Sequence, residues 1–185
     1  MPDSVQFRPI APEELASSLF ASFRRFQKVT HCWRKAEGQW VVKPIAFTED
    51  WDQNDYQRLT AQLAQTLREG GALWGAFSSE GLKGFASVEG RLIGSRSQYA
   101  VLAELHVSED FRRQGLGRRL FALAAGSAQA LGAEKLYISA MSAQESQAFY
   151  QALGCVEAQE YDPPHVEKEP CDCQMEFPLD LLESL

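Results

Sequence analysis

The sequence predicts a single domain of mixed α/β fold. Its 185 residues fall in the usual range for one domain and suffice to bury a core without disulfides or metal. Hydrophobic residues make up 45% and charged residues 23% of the chain, which is close to the average of globular proteins. Runs that alternate like strands are interspersed with runs at helical spacing, and no long polar linker interrupts them.

The amino-terminal part, residues 1–71, predicts extended and helical segments in alternation. In chain order these are a strand over 5–10, a helix over 12–28, two extended pieces between 29 and 47, and a helix from 52 to 69. Pro12 suits the first turn of the first helix. Asp52 provides an acidic start for the second helix, and Gly70 stops it.

The remainder of the chain predicts more strands than helices. Residues 72–78 and 82–89 read as an antiparallel hairpin around Gly81. In chain order there follow a strand over 99–107, a helix over 116–131, a strand over 135–140, a helix over 143–153, and strands over 155–161 and 173–177.

Composition excludes several classes of protein. The longest aliphatic and aromatic run, Leu120 to Ala125, is far shorter than the roughly 18 residues of a membrane span. A pI near 5.0 disfavours nucleic-acid binding. The amino terminus lacks the features of an export signal, so we expect a cytoplasmic protein in which the four cysteines are free thiols. Cys171-Asp172-Cys173 is poor zinc spacing, and we expect no metal.

Chemistry-bearing residues concentrate in Arg112-Arg113-Gln114-Gly115-Leu116-Gly117. The two glycines introduce a helix whose unpaired N–H groups can bind phosphate oxygens, and Arg118 and Arg119 add charge. A solvated surface helix is the alternative interpretation. The dinucleotide-binding fingerprint requires a third glycine at position 120, where this chain has Leu120. The P-loop motif requires Gly-Lys-Ser/Thr, which the chain lacks, so neither motif is present.

The same segment resembles the GCN5-related N-acetyltransferases (GNAT). Glu104 to Gly117 is similar to the strand and the Arg/Gln-x-x-Gly-x-Gly/Ala loop of that family, and Ser146 to Cys155 is similar to its second block, Phe-Tyr-x-x-x-Gly-Phe. The resemblance covers roughly 72–160, and 1–71 is the divergent, acceptor-side part. Ala143 stands where an Asn is common, and Cys155 replaces the final Phe.

The resemblance implies a mixed, twisted, mostly antiparallel sheet with helices on both faces and splayed central strands, here 99–107 and 135–140. Acetyl-CoA would lie between those strands. It also implies a set of cofactor-binding residues: His106, Val107, Arg112, Arg113, Gln114, Gly115, Leu116, Gly117, Arg118, Ser142, Ser146 and Phe149.

The family transfers acetyl directly from the thioester to an amine in a ternary complex, which requires a base and an acid. Glu104 is the candidate base, and an edge carboxylate paired with an arginine is its alternative role. His106 would share its face of the strand. Tyr150 is the candidate acid that protonates the sulfur of coenzyme A, and helix packing is its alternative role.

The acceptor is expected to be a small cationic amine. Residues 1–154 carry a net charge of +1 and residues 155–185 one of −8, so acids such as Glu157, Glu160 and Glu167 could attract a cation. A solvated acidic surface is the alternative. A catalytically silent acyl-CoA-binding or regulatory domain, or an enzyme for protein amines, also fits the sequence. We expect neither nucleic acid nor membrane as a partner, and the sequence leaves a homodimer open.

Overall fold

The computed structural model describes residues 4–185 and has more residues in strands than in helices. The strands are β1 (Gln6–Pro9), β2 (Phe26–Ala36), β3 (Gln39–Asp50), β4 (Ala72–Ser78), β5 (Gly81–Val88), β6 (Tyr99–Val107), β7 (Lys135–Ala140), β8 (Val156–Glu157) and β9 (Cys173–Pro178). The helices are α1 (Gln53–Arg68), α2 (Leu116–Ala130), α3 (Gln144–Leu153) and α4 (Pro163–Lys168).

In the described part of the chain, seven strands form one sheet in the order β1-β4-β5-β6-β7-β9-β8. All neighbours are antiparallel except β6 and β7, which run parallel. The β6–β7 register extends only from Tyr99↔Lys135 to Val101↔Tyr137. Beyond that point the two strands separate, which confirms the splayed, mostly antiparallel sheet.

Helices cover both faces of this sheet. On one face α2 buries Leu120, Phe121 and Ala124 completely, and its alanines allow the helix to approach the strands closely. On the other face α1 buries Leu59 and Leu63 in a second cluster. Asp52 caps α1, because its side chain accepts a hydrogen bond from the Asp55 N–H.

Strands β2 and β3 form a separate two-stranded hairpin. Its turn residues Glu37 and Gly38 both have positive φ, 51° and 77°, as a tight hairpin turn requires. The hairpin docks on the start of α3, where the Trp33 N–H donates to the Ser142 carbonyl at 2.8 Å. This contact brings the divergent amino-terminal part of the chain against the β7–α3 connection.

The helix predicted over 12–28 is wrong. Pro12–Glu14 and Ser17–Phe20 form short 3₁₀ turns instead, and the chain is extended from Phe26 onward. The rings of Phe20 and Phe23 both pack against Phe85, with centroids 5.6 and 5.4 Å away. This tertiary packing overrides the local helical preference.

The strand predicted over 155–161 is also wrong in extent, because only Val156–Glu157 pairs with β9. The chain then turns, and Glu160 accepts hydrogen bonds from the N–H and hydroxyl of Ser95. Helix α4 was not predicted. Asp162 caps it by accepting from the His165 N–H, and Pro163 begins it, so the Asp-Pro signal was present in the sequence.

Within residues 4–185, no helix is long and apolar enough to cross a membrane. The four cysteines are free thiols, and Cys171 alone among them is exposed.

Candidate active site

A cleft of about 1190 Å³ opens where β6 and β7 separate. The Ser108 N–H donates to the Lys83 carbonyl at 2.8 Å, and hydrogen-bonded pairs alternate along an antiparallel ladder. The peptide groups of Leu105 and Val107 therefore point away from β5, toward the gap that β7 leaves. The two N–H groups and the Leu105 carbonyl on this edge are available to an extended ligand, while the Val107 carbonyl accepts a hydrogen bond from Arg112 Nε.

The start of α2 forms one end of the cleft. Gly115 caps the helix with a φ of 83°, and a Cβ added there would meet no atom within 4 Å. The residue is therefore glycine because of its backbone conformation, and it faces open space. A Cβ at Gly117 would lie 3.1 Å from the ring of Phe149, so this glycine lets α3 pack against the first turn of α2.

The four arginines of this region have different surroundings. Arg112 is half-buried and donates from Nε to the Val107 carbonyl at 3.3 Å, and burial lowers the pKa of its guanidinium. Arg113 is exposed and lines the cleft. Arg118 lines it too, but donates from Nε and Nη2 to the Leu185 carbonyl at 3.1 and 2.9 Å. Arg119 stacks on Phe7 at 4.2 Å.

Glu104 and His106 lie on the same face of β6, as their spacing predicted. His106 Nε2 is 2.6 Å from Glu104 Oε2, and Arg25 Nε donates to His106 Nδ1 at 3.2 Å. Because a guanidinium can only donate, Nδ1 accepts and Nε2 carries the ring hydrogen that Glu104 accepts. Glu104 thus pairs with histidine, and among residues 4–185 its Oε1 has only a long 3.5 Å contact from Gln62.

Tyr150 lies on α3, where its ring packs in the core and the residue also reaches the cleft. Its ring makes edge contacts with Phe121 and Phe149, with centroids 6.4 and 5.2 Å away, and the residue also lines the cleft. Its hydroxyl makes no hydrogen bond within residues 4–185. Burial raises the pKa of Tyr150 above its ordinary value of 10.0, so the phenol is protonated at neutral pH.

Ser142 lines the cleft and also forms hydrogen bonds with the β2–β3 hairpin. Its hydroxyl accepts a hydrogen bond from Arg34 Nη1 at 2.6 Å, and its carbonyl accepts from the Trp33 N–H. Ala143, where the family commonly has Asn, is fully buried and forms an isolated bridge with Cys32. The docked hairpin therefore covers this position.

All of the predicted catalytic and cofactor-binding residues except Gln114 line the cleft. Gln114 is exposed and lies outside it. Sequence reasoning missed Arg25, Glu169 and Asp172, which also line it.

Asp172 lies in the segment Cys171-Asp172-Cys173, which the sequence analysis considered only as a metal site. Its carboxylate accepts a hydrogen bond from the Ser139 hydroxyl at 3.0 Å. Burial raises the pKa of Asp172 to about 6, against the smaller opposing effect of the Ser139 hydrogen bond. No group of three or more metal-ligating side chains is assembled among the described residues.

The acids expected to attract an amine lie elsewhere. Glu157 forms an ion pair with Lys35 at 2.9 Å, Glu160 accepts bonds from Ser95 and Gln98, and Glu167 does not line the cleft. From the acidic segment 155–185, Glu169 and Asp172 are the carboxylates that line the cleft.

The sheet, the splayed strands and the glycine loop together define an acyltransferase fold. Residues 26–155 match the model of the acetyltransferase (GNAT) family, and the chain belongs to that family, an N-acetyltransferase class of enzymes. No curated protein sequence matches the chain.

Solved structures of similar fold have low sequence identity. Nourseothricin acetyltransferase is 15% identical, with a TM-score of 0.65 and coverage of 95% of this chain and 98% of that one. A protein from Bacillus anthracis described as a streptothricin acetyltransferase, in complex with acetyl coenzyme A, is 14% identical, with a TM-score of 0.66 and coverage of 94% and 96%. PaiA N-acetyltransferase from Thermoplasma acidophilum, in complex with coenzyme A, is 14% identical, with a TM-score of 0.58 and coverage of 95% and 99%.

Proposed function

We propose that this enzyme transfers acetyl directly from acetyl-CoA to a small primary amine in a ternary complex. The observation that carries the proposal is a single cleft lined by three elements: the glycine loop at the start of α2, the Glu104–His106 pair on β6 and Tyr150 on α3. An anion-binding loop, an acceptor of protons and a donor of protons therefore share one cavity.

The residues present fit the phosphates and amides of acetyl-CoA, whose thioester supplies the acetyl group. The open N–H groups after Gly115 and the side chains of Arg112 and Arg113 would hold phosphate. The N–H groups of Leu105 and Val107 and the Leu105 carbonyl would pair with amides of the pantetheine arm. Ser146 and Phe149 complete this wall of the cleft.

Glu104 is proposed as the base. An amine is an ammonium ion at neutral pH and must lose a proton before it attacks a thioester. His106 donates to Glu104 Oε2, which orients the carboxylate and leaves Oε1 to accept that proton directly or through water. His106 is thus a positioning residue.

Tyr150 is proposed as the acid. The thiolate that leaves must gain a proton, and a phenol with a raised pKa holds its proton until a strong base forms beside it. The unpartnered hydroxyl lines the same cleft as Glu104.

The test is thiol release from acetyl-CoA across a panel of amines, amino acids and peptides. We expect turnover with small amines and a loss of about 10²-fold or more in kcat for Glu104→Gln, with unchanged affinity for acetyl-CoA. Glu157→Gln, whose carboxylate pairs with Lys35 outside the cleft, is the matched control.

Two outcomes contradict the proposal in different ways. Tight acetyl-CoA binding without thiol release for any amine would indicate a silent acyl-CoA-binding domain. Release only with peptides would indicate an enzyme for protein amines.

A further inference from the structure

Arg25 is a buried cation that faces the cleft. The residue is only 6% exposed, and it lines the cleft beside His106. Its Nε donates to His106 Nδ1. Its Nη1 is fully buried and has no hydrogen-bond partner in the part of the chain that the structure describes.

Among the described residues, no carboxylate neutralises this guanidinium by direct contact. Among residues 4–185, Arg25 forms no ion pair within 4.0 Å, unlike the buried Lys83, which contacts both Glu80 and Asp110. Burial lowers the pKa of Arg25, and the charge of Arg112 lowers it further, while Glu49 and Glu104 act in the opposite direction.

A buried charge and an unsatisfied N–H group both destabilise a fold. An anion from the cleft would offset the buried charge, because a guanidinium binds carboxylates through its planar array of N–H groups. Arg25 is therefore suited to bind an anionic group of a ligand.

We propose that Arg25 binds a carboxylate of the acceptor, so that the substrate is an amine that also carries a carboxylate. This inference rests on the proposed function, and it names the substrate class of that same site. The amino group would lie at Glu104 and the carboxylate at the guanidinium of Arg25.

The size of the acceptor follows from the same contacts. His106 touches Arg25 with Nδ1 at 3.2 Å and Glu104 with Nε2 at 2.6 Å, so one imidazole ring separates the cation from the base. Few atoms can then separate the amino group from the carboxylate of the ligand. An amino acid meets this requirement, whereas a diamine leaves the guanidinium unpaired.

The experiment compares matched acceptors in the wild-type enzyme by thiol release from acetyl-CoA. Each set has an amino acid, its amide and its decarboxylated amine: alanine, alaninamide and ethylamine; lysine, lysinamide and cadaverine; phenylalanine, phenylalaninamide and phenethylamine. We expect kcat/KM for the best amino acid to exceed that of its amide and amine by about tenfold or more.

Arg25→Gln then tests the residue itself. The amino acid should lose about tenfold or more in kcat/KM relative to its amide, and Arg25→Lys should restore part of that ratio. The ratio is informative because any disturbance of His106 or Glu104 affects both acceptors equally. Acetyl-CoA affinity should be unchanged.

Equal turnover of the amino acid, amide and amine by the wild-type enzyme overturns the inference while the proposed function stands. An equal loss for amino acid and amide in Arg25→Gln overturns it as well, because Arg25 would then only position His106. Absence of turnover with every acceptor overturns the proposed function and the inference with it. The wild-type comparison needs no variant and decides the question even if Arg25→Gln does not fold.

Discussion

At the scale of single residues, the cleft keeps two acidic groups protonated at higher pH than in water. Burial raises the pKa of Tyr150 above its ordinary value of 10.0, and it raises the pKa of Asp172 from 3.8 to about 6. Desolvation disfavours the charged form of each group. Strongly shifted groups that share a cleft are typical of functional sites.

We predict that Tyr150→Phe lowers kcat by about 10²-fold or more, because the leaving thiolate loses its proton donor. The ring contacts with Phe121 and Phe149 should survive, so the unfolding midpoint and the acetyl-CoA affinity should change little. Pre-steady-state thiol release measures the chemical step. Full activity where chemistry limits the rate would leave Tyr150 as a packing residue.

For Asp172 we predict a cost to stability that appears as pH rises. The folded protein holds the carboxyl proton of Asp172 more tightly than the unfolded chain does. Protonation of Asp172 therefore stabilises the folded state fully below pH 3.8, and this stabilisation is lost as pH rises through about 6. The free energy of unfolding of Asp172→Asn, relative to that of the wild type, should therefore be higher at pH 8 than at pH 5 by about 1 kcal/mol or more.

Urea unfolding at the two pH values measures this difference. Asp180→Asn, at an exposed position, is the control and should show no such gain. If Asp172→Asn were stabilised by the same amount at pH 5 and at pH 8, the raised pKa of Asp172 would be contradicted.

At the scale of elements, the site depends on how helix ends meet strands. Helix α2 begins at Gly115 in a left-handed conformation and turns its first N–H groups toward the end of the cleft. The hairpin of β2 and β3 is held on α3 through Ser142, so Arg34 reaches the cleft from a separate sheet.

Gly115→Ala should weaken acetyl-CoA binding by about tenfold or more, because the added methyl group enters the space in which phosphate would approach the backbone. Its positive φ also strains alanine by about 1–2 kcal/mol. Gly132→Ala is the matched control, since Gly132 has a φ of 88° and equally open surroundings but lies outside the cleft.

Calorimetry measures the affinity of each variant for acetyl-CoA, and thermal unfolding measures how far the strained alanine destabilises it. The two variants should be destabilised alike, and only Gly115→Ala should bind acetyl-CoA poorly. Equal affinities would show that the glycine loop does not hold the cofactor.

At the scale of the whole molecule, net charge and local charge differ. The chain is acidic overall, with a formal charge of −7, yet Arg112 and Arg113 line the cleft. Much of the acidity of residues 155–185 is engaged outside the cleft, as in the Glu157–Lys35 pair. The electrostatic potential near the α2 start therefore depends on local arginines more than on net charge.

We predict that Arg113→Gln raises the dissociation constant of acetyl-CoA about threefold to tenfold at low ionic strength and flattens its dependence on salt, because an exposed cation acts through a screened field. Arg119→Gln removes the same charge from a residue stacked on Phe7 outside the cleft and should change neither quantity. Titrations at several salt concentrations measure both, and identical salt profiles for the two variants would contradict the prediction.

The sequence alone determined the features that depend on local backbone chemistry. The Gly115 cap, the strand that ends at Val107 and the helix that follows could be predicted because each depends on residues a few positions away. The wrong helix over 12–28 is the complementary case. There the distant ring of Phe85 decided the conformation of Phe20 and Phe23.

Only the tertiary structure decided which charged side chains meet in the rest of the cleft. Arg25 and His106 are 81 positions apart, and Asp172 and Ser139 are 33 apart, so no local pattern relates the members of either pair. The raised pKa of Asp172 and the unpaired Nη1 of Arg25 arise from burial, which depends on what every other segment covers. Local preferences therefore specify the glycine loop, whereas the charged groups in the rest of the cleft come together only once the chain has packed.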